Sequence, residues 1–114
     1  MAAARAADAK KGDDTLVLAV GQVLTMTDAF VITSAANPRL VRTIAEEVEL
    51  AVKQAGGPPP RRIEGLDDAR WVLMDYGDFV VHVFLDEARA FYELERLWSD
   101  APVWSWAALS AQAR

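Results

Sequence analysis

Cysteine is absent from the 114 residues, and histidine occurs once, at His82. The first absence excludes disulfides, a thiolate nucleophile and cysteine-held zinc or iron–sulfur clusters. The second excludes a three-histidine metal site and a His-Glu-x-x-His helix. Glycine is sparse, and Gly12, Gly21, Gly56, Gly57 and Gly65 are too scattered for either nucleotide-binding fingerprint. There is no Gly-x-Ser-x-Gly elbow. No apolar run is long enough to span a bilayer. The alanine-rich start is interrupted by Arg5, Asp8, Lys10, Lys11, Asp13 and Asp14, so it holds no signal-peptide core. A cytoplasmic protein with no membrane partner is the expectation, and the lack of thiols fits a reducing compartment.

Positive charge is also in short supply. There are 12 basic against 17 acidic side chains, a formal charge of -5. That disfavours non-specific attraction to phosphate backbones, DNA included, and permits an acidic face that docks on a basic protein. What is plentiful is apolar: 53% of residues, with 25% charged. This composition describes one globular domain that buries about two thirds of its unfolded surface.

Residues 1–14 read as an amino-terminal segment with a frayed or partial helix, since alanine favours helix but so short a piece is marginal alone. Thr15–Val20 and Ala29–Thr33 are short branched apolar runs, read as neighbouring strands buried on both faces. Asn37-Pro38 announces a helix, with Asn as cap and Pro at the first helical position. Its apolar stripe is Leu40, Ile44, Val48, Ala51, Val52 and Ala55, and Gly56-Gly57 followed by three prolines ends it. Arg61–Glu64 reads as a short edge strand. Arg70–Tyr76 and Phe79–Leu85 read as a hairpin, with Gly77 supplying the positive φ of the turn. Asp86 is a candidate N-cap for a helix that packs through Ala90, Phe91, Leu94, Leu97 and Trp98. The tail 103–114 places Trp104 and Trp106 at period two, as an extra strand, a packed arm or a contact segment. The whole is an α/β (α+β) domain with a mixed sheet and flanking helices.

The chemistry-bearing residues concentrate in one stretch: Asp75-Tyr76-Gly77-Asp78, then His82, then Leu94-Glu95-Arg96-Leu97-Trp98. Two readings of each stay open. His82 is a satisfied histidine in an apolar strand or a recognition group. Asp75 and Asp78 accept local amides of the turn or bind a partner. Trp98 is core or an interface anchor. Asp75, Asp78 and His82 are also the best available metal ligands, although nothing in their spacing demands a metal.

The segments Thr27–Thr33, Ile63-Glu64-Gly65, Trp71–Asp78, Val81–Phe84 and Phe91–Asp100, in this order and spacing, resemble the ribosomal silencing factor (Iojap) family from about residue 14 to residue 102. The resemblance implies a nucleotidyltransferase-like fold without catalysis and with no cofactor. It implies a translation repressor that binds ribosomal protein uL14 of the large subunit and sterically blocks subunit joining. Homodimers are also implied; the residues themselves suit an RNA backbone poorly and leave minor rRNA contact to Arg39, Arg42, Arg61 and Arg62. Carried over position by position, Asp75, Tyr76, Gly77, Asp78, His82, Glu95, Arg96 and Trp98 are the expected uL14-binding residues. Tyr76 and Trp98 would give apolar contact, Asp75, Asp78 and Glu95 would give charge, and Arg96 would alternatively hold the acidic turn by an internal pair. Two departures stand out. Ala29 sits where a large residue is usual, and the Trp104/Trp106 tail extends beyond the resemblance.

Overall fold

A computed structural model describes residues 2–10, 12–21, 27–98 and 101–104. Helix α1 spans Ala2–Ala9, and its Ala3, Ala4 and Ala7 are buried. So short a helix does not stand alone in water. Here it docks on α2, Pro38–Gln54, where methyl side chains permit close approach, and Lys10 Nζ lies 3.7 Å from Glu47.

Strands β1 (Asp13–Ala19) and β2 (Ala29–Ala35) pair antiparallel, with a register irregularity between Asp13 and Leu16. After α2 come β3 (Arg62–Glu64), β4 (Trp71–Asp75) and β5 (Phe79–Leu85). Strand β5 runs parallel to β2 and antiparallel to β4. With β6 (Val103–Trp104) beside β1, the described strands form one mixed sheet in the order β3-β4-β5-β2-β1-β6. All seven β2 residues are buried, as its place inside the sheet requires, whereas in β1 only Val17 and Leu18 are buried. Val103 and Trp104 thus take the extra-strand alternative, while Trp106 lies outside the described residues.

Period two divides the sheet into two faces. Val31, Val81, Val83, Val72 and Met74 point to the side where α2 lies, and all are fully buried. Phe30, Ile32, His82, Phe84, Trp71, Leu73 and Asp75 point to the other. Among the described residues, helices α3 (Asp86–Tyr92) and α4 (Leu94–Leu97) cover one end of that second face.

The α2 cap is as expected: Asn37 Oδ1 accepts the Leu40 N–H at 2.8 Å. The buried stripe, however, is Val41, Ile44, Ala45, Val48 and Val52, one position round from the expected line. Leu40 and Ala51 are half-buried and Ala55 is exposed. Asp86 does not cap α3. It is the first helical residue, Leu85 holds the cap position without a side-chain bond, and Asp86 and Glu87 face the positive end of the helix dipole.

The expected single helix through Trp98 is instead two. Glu93 adopts a left-handed conformation, φ 47°, which ends α3 and restarts the chain as α4. The rotation between the two leaves Ala88 and Leu94 as the buried residues. Phe91 and Leu97, expected to pack, stand 77% and 76% exposed, and Ala90 is exposed as well.

Candidate docking face

The site grows from the β4–β5 hairpin. Gly77 takes φ +85°, which glycine adopts without a Cβ clash, and its N–H donates to Asp75 Oδ1 at 2.8 Å. The other Asp75 oxygen lies 3.7 Å from Arg62 Nε on the edge strand. Tyr76 N–H donates to Phe79 C=O at 3.0 Å, and Asp28 N–H donates to Asp78 C=O at 2.7 Å. The turn is therefore fixed on both sides. Asp75 is engaged locally, and the Asp78 side chain stands free in solvent.

Tyr76 lies on the α2 side of the sheet. It is 6% exposed and stacks on Phe79 with centroids 4.7 Å apart. Its hydroxyl is buried without a partner. Burial, with a smaller contribution from the Glu49 carboxylate, pushes its pKa up to about 12.

His82 sits mid-strand on the opposite face, 4% exposed. Trp71 Nε1–H donates to His82 Nδ1 at 3.0 Å. The lone pair on Nδ1 is thereby committed, so the ring proton resides on Nε2. That Nε2–H is buried without a partner, and desolvation lowers the imidazole pKa to about 4. His82 is a neutral ring at physiological pH.

Aromatic rings gather round it. Phe30 meets His82 edge-on at 4.8 Å and Trp98 edge-on at 5.6 Å. Trp71 packs on Phe84 at 4.8 Å and on Tyr92 at 5.0 Å, and Tyr92 meets Phe91 at 5.1 Å. Trp71 and Trp98 are half-buried, so the cluster runs from the core to the exposed rings of Tyr92 and Phe91, and Leu97 of α4 is exposed as well. Beside it, Thr27, Phe30, Leu73, Val80, His82 and Gly77 line a cavity of about 260 Å³ whose rim carries Arg61, Arg62 and Asp75.

The charged residues of α4 divide. Glu95 Oε2 lies 3.4 Å from Arg89 Nε, and Arg96 bonds Glu93 at 2.9 Å on the surface. Arg96 therefore holds Glu93 rather than the acidic turn, since the hairpin carboxylate Asp75 faces Arg62. The internal tie is Arg89. Its guanidinium donates to the carbonyls of Asp13 and Asp14 at 2.8 and 2.9 Å and to Ser34 Oγ at 3.1 Å. It anchors α3 across the start of β1. Asp86 beside Asp13 raises the Asp13 pKa, with burial second.

Of the eight expected residues, Asp75, Gly77 and Asp78 form the turn, Tyr76 turns under α2, His82 lies beneath Phe30 and Trp71, Glu95 and Arg96 belong to α4, and Trp98 caps its C-terminal end. Phe91, expected in the core, is on this surface instead, and Arg89 and Tyr92 are the further residues of the site that carry no expectation from the sequence. The only sequence signal for Phe91 and Tyr92 is that two large aromatics stand adjacent in a helical pattern, where both cannot face the core. Among the described residues, no group of three or more His, Asp or Glu is placed to hold a metal ion.

The model of the family RsfS, "ribosomal silencing factor during starvation", matches residues 1–114. This chain belongs to the ribosomal silencing factor family. The "Ribosomal silencing factor RsfS" of Bacillus subtilis (strain 168) is 41% identical over 101 residues, 89% of this chain and 85% of that one. "Mitochondrial assembly of ribosomal large subunit protein 1" of Mus musculus is 34% identical over 88 residues, 75% of this chain and 39% of that protein. A crystal structure of a Chromobacterium violaceum protein superimposes with a TM-score of 0.82 at 32% identity, covering 86% of this chain and 81% of that one. The silencing-factor fold is thus the mixed sheet with flanking helices described above. No helix among the described residues is long and apolar enough to cross a membrane.

Proposed function

We propose that this silencing factor represses translation by docking on ribosomal protein uL14 of the large subunit, where its bulk keeps the small subunit from joining. The observation that carries the reading is the surface of α3 and α4: Phe91, Tyr92 and Leu97 stand 77%, 48% and 76% exposed beside half-buried Trp71 and Trp98. Large apolar side chains grouped on a rigid support are what a protein interface uses as anchors. The names of the relatives, a ribosomal silencing factor and a protein of large-subunit assembly, support a partner on the large ribosomal subunit.

The surrounding charge suits a basic partner. Asp78, Asp86, Glu87 and Glu93 are exposed, and the chain carries a net charge of -5. Charge of this kind steers encounter and register more than it adds affinity. Within this reading Trp98 contributes apolar contact and Asp78 contributes charge. Asp75 and Gly77 hold the turn, His82 supports the face from below, Glu95 braces Arg89, and Tyr76 keeps the hairpin packed on α2. A second copy covering the same apolar surface would give a homodimer, so dimer and complex would compete.

Sedimentation of the full chain with purified large subunits, and separately with purified uL14, tests the proposal. Co-sedimentation with both, together with fewer joined ribosomes on adding small subunits, is expected. Failure to bind either at low micromolar protein would remove it.

A further inference from the structure

Apolar burial accounts for little of the hold of α3 on the sheet. Of its seven residues only Ala88 is buried. Helices this short have little stability of their own, and α4 has only four residues. Two ring contacts, Tyr92 on Trp71 and Trp98 on Phe30, fix the far end of α3 and the end of α4. The middle is fixed by Arg89, whose side chain is 12% exposed. Its Nη1 donates to Asp13 C=O at 2.8 Å and to Ser34 Oγ at 3.1 Å. Its Nη2 donates to Asp14 C=O at 2.9 Å, and its Nε lies 3.4 Å from Glu95 Oε2. One guanidinium thus joins β1, β2 and both helices, across the break at Glu93.

The strand is shaped to receive it. Between the pairs Asp13–Ser34 and Leu16–Ile32, the β1 residues Asp14 and Thr15 stand opposite Thr33 alone, which is a β-bulge. Asp14 takes φ 43°, a conformation that aspartate tolerates better than most L-residues. A regular strand points successive carbonyls to opposite edges, whereas the bulge brings those of Asp13 and Asp14 to one side chain. A planar fork of donors can take both carbonyls and a hydroxyl at once, and a single lysine nitrogen on a flexible stem cannot. The charge matters as well. Asp13, Asp14, Asp86, Glu93 and Glu95 line the same recess as Arg89, so the guanidinium offsets their mutual repulsion.

We infer that Arg89 is the positioning residue of the docking surface: without touching the partner, it holds α3 and α4 in the one arrangement that presents Phe91, Tyr92 and Leu97 together. The inference rests on the docking proposal and names what keeps its surface preformed. A surface that is competent only part of the time loses apparent affinity in proportion to that fraction. The core on the α2 side, built on Val31, Val72, Met74, Val81 and Val83, lies on the opposite face of the sheet from these helices. Loss of the tie should therefore loosen residues 86–98 and leave α2 and the inner strands as they are.

Arg89→Lys tests this in the full chain, because it keeps the charge and removes the fork. It should bind purified large subunits about tenfold more weakly, as expected when the competent arrangement is populated about one tenth of the time. Amide hydrogen exchange should quicken over residues 86–98 and keep its wild-type rate in α2 and β2. The deciding readout is a cycle with the Phe91→Ala/Leu97→Ala variant. Arg89 acts through those side chains, so adding Arg89→Lys to that variant should cost less than about twofold further affinity. Wild-type affinity of Arg89→Lys, an undiminished further loss in the cycle, or exchange that quickens equally in α2 and β2 overturns the positioning role and leaves the docking reading standing. If Arg89→Lys does not fold, Glu95→Gln carries the same test, since it removes the charge facing Arg89 and keeps the shape of the side chain. Weaker binding with faster exchange confined to α4 is then expected, and no change in either overturns the role. Absence of any wild-type binding overturns the docking reading and this inference with it.

Discussion

Trp71 and His82 are joined by one hydrogen bond, Nε1–H to Nδ1 at 3.0 Å, between paired strands of the hairpin. That bond fixes the tautomer of the only histidine and turns its remaining N–H into a buried donor. It also ties the half-exposed surface aromatic to the core, because Trp71 carries Tyr92 on its other side.

The first prediction concerns acid stability. Desolvation lowers the folded pKa of His82 from 6.5 to about 4. The unfolded chain therefore takes up a proton near pH 6.5 that the native state refuses until about pH 4. The contribution is present in full above pH 6.5 and is lost as pH falls through the interval. Between pH 7 and pH 5, where most carboxylates stay ionised, unfolding free energy should drop by about 2 kcal/mol. Urea titrations at the two pH values measure it. A flat profile would mean that the ring is hydrated and titrates normally.

Tyr76 provides the second. Its hydroxyl is buried without a partner, while its ring stacks on Phe79 beneath α2. Tyr76→Phe should leave stability unchanged or raise it by about 1 kcal/mol, since it removes an unpaired polar group and keeps the ring. Tyr76→Ala should cost about 3–5 kcal/mol by opening a cavity. Denaturation midpoints of the two variants decide, and a large loss for Tyr76→Phe would reveal a bond to the hydroxyl.

The break between α3 and α4 gives the third. Glu93 holds φ 47°, a conformation that costs an L-residue about 1–2 kcal/mol and glycine almost nothing. Its ion pair with Arg96 is on the surface and contributes little. Glu93→Gly should therefore gain up to about 1 kcal/mol, less the chain entropy that glycine adds to the unfolded state. Thermal melting reads this directly. A lower melting temperature would indicate that Glu93 is not held left-handed in solution.

These particulars also explain what the sequence discloses. The hairpin and its turn are legible because Gly77 is required where φ is positive and the flanking runs are strand-like on both sides. The α2 boundaries are legible because Asn37 and Gly56 act locally. The α3–α4 break is not, because a glutamate in the left-handed region leaves no mark of the kind that glycine leaves. Continuing helical spacing through Glu93 then assigns Phe91 and Leu97 to the core. For the candidate site, the turn Asp75–Asp78 can be placed from its residues alone. The burial of Tyr76 on one face and His82 on the other follows only from knowing that α2 covers the first. The pairing of Thr27 with His82 in one cavity joins residues 55 positions apart, and no local pattern reports it.

The last prediction separates surface from support. Phe91 and Leu97 are exposed, so replacing both with alanine removes little buried area and should change stability by less than about 0.5 kcal/mol per site. The same replacement removes two apolar anchors from the proposed interface, where truncating an anchor typically costs about 1–4 kcal/mol of binding. The double variant should fold normally and lose at least about tenfold in affinity for large subunits. Trp98→Ala should differ: the ring is half-buried against Phe30, so stability and binding should fall together. Urea titration beside sedimentation on the same samples distinguishes the cases. If the Phe91/Leu97 variant keeps wild-type affinity, the docking surface lies elsewhere on the molecule, and the acidic turn at Asp78 is the next place to reverse charge.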